Sequence, residues 1–135
     1  IHSYVTNITV RNSSILLFCI IIQLLMQMET SGNTFNQIIH GSTPVMVDFY
    51  ADWCMPCRIL SPILTNLAED MGDEIRILKL DIEKNKEIVQ KYKIYSVPTI
   101  YLFQNGEVIW KGSGARSKEE LKRIIRSKTK LSEAS

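Results

Sequence analysis

The sequence predicts an α/β fold, with a central mixed sheet of four to five strands and helices on both faces. Three observations carry this prediction. Short runs rich in β-branched and aromatic residues alternate with segments whose apolar residues recur at helical spacing. Asn105-Gly106, between two such runs, is a strong two-residue hairpin signal. The length of 135 residues, with 45% apolar and 22% charged, suits about one globular domain and excludes wholesale disorder.

The elements follow in order. Residues 1–32 stand apart from the rest. Asn33-Thr34 caps a short helix whose inward positions are Phe35, Ile38 and Ile39, with Gly41 as a stop after His40. Val45-Met-Val-Asp-Phe-Tyr50 is too short and too β-branched for a helix and reads as a buried strand. A helix runs from about Cys54 to Met71, with Ile59, Ile63, Leu64, Leu67 and Ala68 as its apolar stripe and Pro62 as an expected kink. Ile75 to Asp81 is a strand, and Asn85 to Tyr92 a short helix with Ile88 and Val89 inward. Thr99–Gln104 and Val108–Lys111 flank the hairpin turn, and Ser117-Lys-Glu-Glu120 is a capping box opening a helix to about Ser127. Strands separated by helices imply parallel pairing, and the Asn-Gly turn adds an antiparallel edge. The expected organisation is an apolar N-terminal segment at 1–32, one domain at 33–128 and a tail at 129–135.

The first segment holds one basic residue, Arg11, and one acidic residue, Glu29. Ile15 to Met26 is apolar apart from Gln23, matches the length of a signal-peptide apolar region, and is followed by Thr30-Ser31-Gly32, a tolerable cleavage site. It falls short of the roughly 20 residues of a spanning helix. Because the chain starts at Ile1, and Met26 and Met28 stand just before the globular part, the segment also reads as translated upstream sequence. The first reading makes the protein exported or membrane-tethered through residues 11–32; the second makes it cytoplasmic. A net charge of +2 leaves no electrostatic footprint for nucleic acid, and three cysteines are too few for a disulfide-stapled scaffold.

The chemistry centres on Trp53-Cys54-Met55-Pro56-Cys57, where a strand ends and a helix begins. Two thiols three positions apart at a helix start can form and break a disulfide. Cys54 sits where unpaired N–H groups and the helix dipole favour a thiolate, so its pKa is expected below the free value of about 8.5. Cys57 is expected on the buried side, remaining a thiol until needed, and Pro56 suits a first turn because it has no N–H to leave unpaired. Zinc would need four ligands, whereas Cys19, His2 and His40 lack ligand spacing; haem attachment would need His where Arg58 stands. An inert structural disulfide is a poor fit to so short a span. Asp48 is costly within its apolar strand, and a buried carboxyl with a raised pKa is a candidate proton acceptor for a buried thiol. Lys79 on the neighbouring strand could pair with Asp48, or both could face solvent. Pro98, before a strand, reads as trans by base rate, with cis in a tight turn as the alternative.

Asp48-Phe-Tyr-Ala-Asp-Trp-Cys-Met-Pro-Cys57, Pro62, Lys79-Leu-Asp81, Val97-Pro98-Thr99 and Phe103-Gln-Asn-Gly-Glu107 together resemble the thioredoxin family over roughly residues 34–127. The resemblance implies the thioredoxin fold and a protein-disulfide reductase that binds no cofactor and uses a redox-active Cys54–Cys57 disulfide. It makes Cys54 the nucleophile, Cys57 the resolving cysteine, Asp48 the buried proton acceptor with Lys79 beside it, and Pro98 a cis-proline facing the disulfide. Trp53, Gly106 and Gly114 fall on positions that line the substrate groove; Met55, Pro56 and Val97 join them as substrate contacts. Implied partners are disulfide-containing proteins and an NADPH-fuelled thioredoxin reductase in the cytoplasm, or a membrane thiol carrier for an exported form; the chain is read as a monomer. Two departures stand out. Met55 replaces the usual Gly between the cysteines, which bears on redox poise and partner choice. The family's N-terminal strand is missing if translation starts at Met26 or Met28; otherwise Leu24 to Glu29 supplies it. The rival readings are a disulfide oxidase or isomerase, and a non-catalytic binding subunit.

Overall fold

The computed structural model describes residues 13–28 and 30–129. Arg11, Glu29 and the tail from residue 130 lie outside them. The chain divides into two compact units, residues 1–31 and 32–135. In the first, α1 (Ser13–Met28) exposes Ile15, Leu16, Leu17, Phe18, Ile20, Ile21, Ile22, Leu24 and Leu25 around its whole circumference. Residues 24–28 are therefore helical, not the N-terminal strand that Leu24 to Glu29 could have supplied. Continuous apolarity without period-2 alternation favours intra-segment hydrogen bonds over an edge strand. Among the described residues no helix is long and apolar enough to cross a membrane.

From Thr30 onward the order is α2 (Thr30–Ile39), whose first two residues fall in the first unit, then β1 (Val45–Tyr50), α3 (Met55–Met71), β2 (Arg76–Asp81), α4 (Lys86–Lys91), β3 (Thr99–Gln104), β4 (Glu107–Ser113) and α5 (Lys118–Lys128). Helix α2 begins before Asn33-Thr34, so those residues do not cap it. Helix α3 continues through Pro62 to Met71 and stops at Gly72, whose φ is +51°. Its buried face is Cys57, Leu60, Leu64, Leu67 and Met71; Ile59, expected inside, is 59% exposed. Leu64 and Leu67 stay at the centre of the buried stripe; with Cys54 capping the helix and Cys57 inward, Leu60 continues it at i, i+3, i+7, and Ile59 falls beyond its edge.

The sheet order is β2-β1-β3-β4. β1 and β2 are parallel, as helix-separated strands suggest, but β3 runs antiparallel to β1 despite the helix before it. The connection through α4 (Lys86–Lys91) leaves the chain at the end of the sheet where β2 stops, and β3 starts there. The ends of β1 and β2 and the start of β3 consequently meet, with Tyr50 opposite Asp81 and Phe49 opposite Thr99. At the other end, Asn105 (φ +51°) and Gly106 (φ +82°) close the β3–β4 hairpin in the left-handed conformation that such turns require.

Strand alternation sends Val45, Val47 and Phe49 to one face, against Phe35, Ile39 and Ile88 of α2 and α4. Met46, Ile100 and Leu102 point to the other, against Leu60, Leu64, Leu67, Leu121 and Ile125 of α3 and α5. Ser117 Oγ accepts the Glu120 amide at 3.2 Å, one half of the expected capping box, while the Glu120 carboxylate pairs with Arg116 instead. Thr129, assigned to the tail, is buried and closes α5 through its amide and hydroxyl on the Ile125 carbonyl.

Candidate active site

The site forms where β1 hands over to α3. The Cys54 amide donates to the Ala51 carbonyl at 3.1 Å, turning the chain, and the Arg58 guanidinium ties the same loop by two bonds to the Asp52 carbonyl, at 3.1 and 2.9 Å. Cys54 takes the extended conformation of a helix cap, and its sulfur accepts the Cys57 amide N–H at 3.3 Å. A first-turn N–H with no partner of its own thus points at the Cys54 sulfur, and the helix dipole adds to it. Pro56 lies in that first turn. Cys54 and Cys57 form a disulfide with Cα atoms 5.3 Å apart. Both residues are almost wholly buried, at 4% and 3% exposure, so the expected contrast of one open and one sheltered cysteine is not one of residue accessibility. The two sulfurs differ in their hydrogen bonding. Cys19 is free and exposed on α1, and no cluster suited to a metal ion occurs among the described residues.

Asp48 points to the α3 face of β1, fully buried, with neither carboxylate oxygen hydrogen-bonded. Burial raises its pKa from 3.8 to about 6, and the charge of Lys79 opposes part of that rise. Lys79 is the register partner of Asp48, yet it makes no ion pair with it. Its ammonium donates to Ser61 Oγ at 2.7 Å and lies 4.7 Å from the centre of the Tyr50 ring.

The Val97–Pro98 peptide is cis, as the resemblance implied and against the base rate. Val97 packs with Ala51, Cys54 and Cys57. The Gly114 amide (φ +86°) donates to the Pro98 carbonyl at 2.9 Å, which fixes the end of β4 to the proline loop. Trp53 is 67% exposed and held by its indole N–H on Glu83 Oε1 at 3.0 Å; Met55 is 62% exposed.

Most of the expected site residues therefore converge: Trp53 to Cys57, Asp48, Lys79, Val97, Pro98 and Gly114 share one end of the sheet. Gly106 does not. It lies in the hairpin at the opposite end of β3, where its amide donates to the Ile39 carbonyl at 2.8 Å and a Cβ would collide with the His40 ring. Its φ of +82° and the close His40 ring account for glycine there. Sequence reasoning missed Glu83 and Ser61. Ser61, four residues beyond Cys57 on one helix face, carried a detectable signal, because a mid-helix serine invites a search for its partner.

This end of the molecule is built to make and break a disulfide, which places the chain among the dithiol–disulfide oxidoreductases. The thioredoxin family model matches residues 26–127. A thioredoxin of Rickettsia bellii (strain RML369-C) is 45% identical over 72 residues, covering 53% of this chain and 69% of the relative. A thioredoxin of Alicyclobacillus acidocaldarius subsp. acidocaldarius is 38% identical over 94 residues, 70% of this chain and 90% of the relative. A bifunctional thioredoxin reductase/thioredoxin of Mycobacterium leprae (strain TN) is 34% identical over 96 residues, 71% of this chain and 21% of the relative. The chain belongs to the thioredoxin family. It is a thioredoxin-type protein-disulfide reductase whose redox centre is the Cys54–Cys57 pair itself; thioredoxins carry no cofactor. Membership implies disulfide-bearing substrates and a reductase partner.

Proposed function

We propose that Cys54 is the attacking sulfur, Cys57 the resolving sulfur and Asp48 the acceptor of the Cys57 proton. In the reduced protein the Cys54 thiolate, stabilised by the Cys57 amide, attacks a substrate disulfide, forming a mixed disulfide and expelling one substrate thiolate. Cys57 then loses its proton, directly or through water, to Asp48 and attacks the Cys54 sulfur. The Cys54–substrate bond breaks, the second substrate thiol leaves, and two electrons have passed from the cysteine pair to the substrate. An extended substrate segment pairs with the backbone at Val97, beside Pro98 and Gly114, while Trp53, Met55 and Pro56 offer an exposed rim.

One observation carries this reading. The Cys54 sulfur accepts a helix N-terminal amide, and the neighbouring strand holds a buried carboxyl with no hydrogen-bond partner. Insulin reduction by dithiothreitol tests it: the full chain should accelerate precipitation and Cys54→Ser should not. Retained activity in that variant would refute the assignment.

The proposed setting is the cytoplasm, with an NADPH-fuelled thioredoxin reductase as electron donor. The relative from Mycobacterium leprae, named for both activities in one chain, supports that pairing. A tethered or exported form recharged by a membrane thiol carrier is the second reading, favoured by the uncharged, exposed helix α1. Fractionation of cells expressing the full chain separates the two.

A further inference from the structure

The ammonium of Lys79 makes no hydrogen bond to the Asp48 carboxylate, although the two residues are opposite each other on adjacent strands and its charge bears on Asp48. It is held on Ser61, with the Tyr50 ring beneath it. Ser61 is half-buried and stands one turn beyond Cys57 on α3. Asp48 and Lys79 both point to that helix, because each lies two residues beyond an apolar residue of the α3 core, Met46 and Ile77. Proton acceptor, cation, hydroxyl and resolving cysteine are thereby gathered on one layer of the fold.

We propose that Ser61 is a positioning residue: its hydroxyl holds the Lys79 ammonium on the α3 side of the sheet, where the charge favours ionised Asp48, and so helps to set the pH at which the mixed disulfide is resolved. The inference rests on the proposed role of Asp48. A lysine on a flexible four-carbon stem is strongly hydrated and loses rotamer freedom when fixed. Lys79 is exposed, so without an acceptor on α3 its ammonium returns to water. The buried carboxyl would then lose its counter-charge and hold its proton more tightly.

The other groups on this layer do not substitute for Lys79. Asp81 of β2 is buried and engaged through Oδ1 by the Glu83 amide at 2.9 Å. β3 contributes Ile100 and Leu102 to this face, and α5 contributes Leu121 and Ile125. On α3, Arg58 is tied to the Asp52 carbonyl, and the Thr65 hydroxyl is spent on the Ser61 carbonyl. Among the described residues, Lys79 is the cation whose charge bears on Asp48.

The test uses the full chain carrying Cys19→Ser, so that the exposed thiol does not react. Reduced protein is mixed with an aromatic disulfide that releases a coloured thiolate twice, first on attack by Cys54 and then on resolution by Cys57. The second phase is followed from about pH 5 to 9. In Ser61→Ala the midpoint of its titration should rise by about half a pH unit. Ser61→Thr, which keeps the hydroxyl, should restore it. Lys79→Met should raise the midpoint at least as far, and Ser61→Ala should add nothing in that background. An unmoved or lowered midpoint in Ser61→Ala, while Asp48→Asn moves the profile up towards that of the bare Cys57 thiol, overturns the role of Ser61 alone. A profile left in place by Asp48→Asn overturns the role of Asp48, and this inference with it.

Discussion

Asp48 should weaken the folded protein at neutral pH, and Asp48→Asn should strengthen it. The carboxyl is fully buried with two unpartnered oxygens, and its pKa rises from 3.8 to about 6 on folding. Between those values the folded state binds more protons than the unfolded state, so stability falls as pH rises through that window and levels off above it. At about 1.4 kcal/mol per pH unit, the cost above pH 6 is about 3 kcal/mol. Asparagine is close in shape to the neutral acid and carries no charge, so it avoids this fall. Urea unfolding of the oxidised full chain at about pH 4 and pH 8 measures the effect, and a slope near 1–3 kcal/mol per molar converts the cost to about 1–3 M in midpoint. The variant should gain that margin at the higher pH and little at the lower. Equal differences at both pH values, or a variant less stable at the higher, would refute the claim that Asp48 ionises at a cost.

Other outcomes follow from the same geometry. Cys57→Ser should accumulate a covalent complex with substrate through Cys54, seen as a mass increase that reductant reverses. Gly106→Ala should lose at least about 1–2 kcal/mol in urea unfolding, because φ is +82° and His40 fills the space, while insulin reduction per folded molecule stays unchanged. Leu121→Ala, at a fully buried position between α5 and α3, should cost about 2–5 kcal/mol. Met55→Gly should raise the KM for insulin with a stability change of no more than about 1 kcal/mol, since the side chain is exposed beside the disulfide.

Much of this architecture was legible because local rules and tertiary packing agree. Val45–Tyr50, the Asn105-Gly106 turn and the Ser117 cap each follow from short-range chemistry, and each stands where the sequence predicts. The errors occurred where long-range geometry decides. The direction of β3 is set by the end of the sheet to which the connection after β2 brings the chain, which no residue within β3 signals. Ile59 stands at the flank of the α3 stripe, where spacing alone does not separate it from Leu60. The resemblance puts Gly106 in the groove, while strand direction puts it a full strand length from Pro98. At the site, residue types signalled the cysteine pair and the buried acid, but the fate of the Lys79 ammonium depends on the neighbouring helix. A lysine two residues from a strand end has many acceptors within reach, and only the packing of α3 selects Ser61.

The two sulfurs are chemically unequal despite equal burial. Timed alkylation of the reduced full chain with iodoacetamide near neutral pH, read peptide by peptide so that Cys19 is counted separately, tests it most directly. The hydrogen bond from the Cys57 amide predicts that Cys54 is modified first and that Cys57 lags well behind. Equal rates at the two sites, or faster labelling of Cys57, would contradict the account.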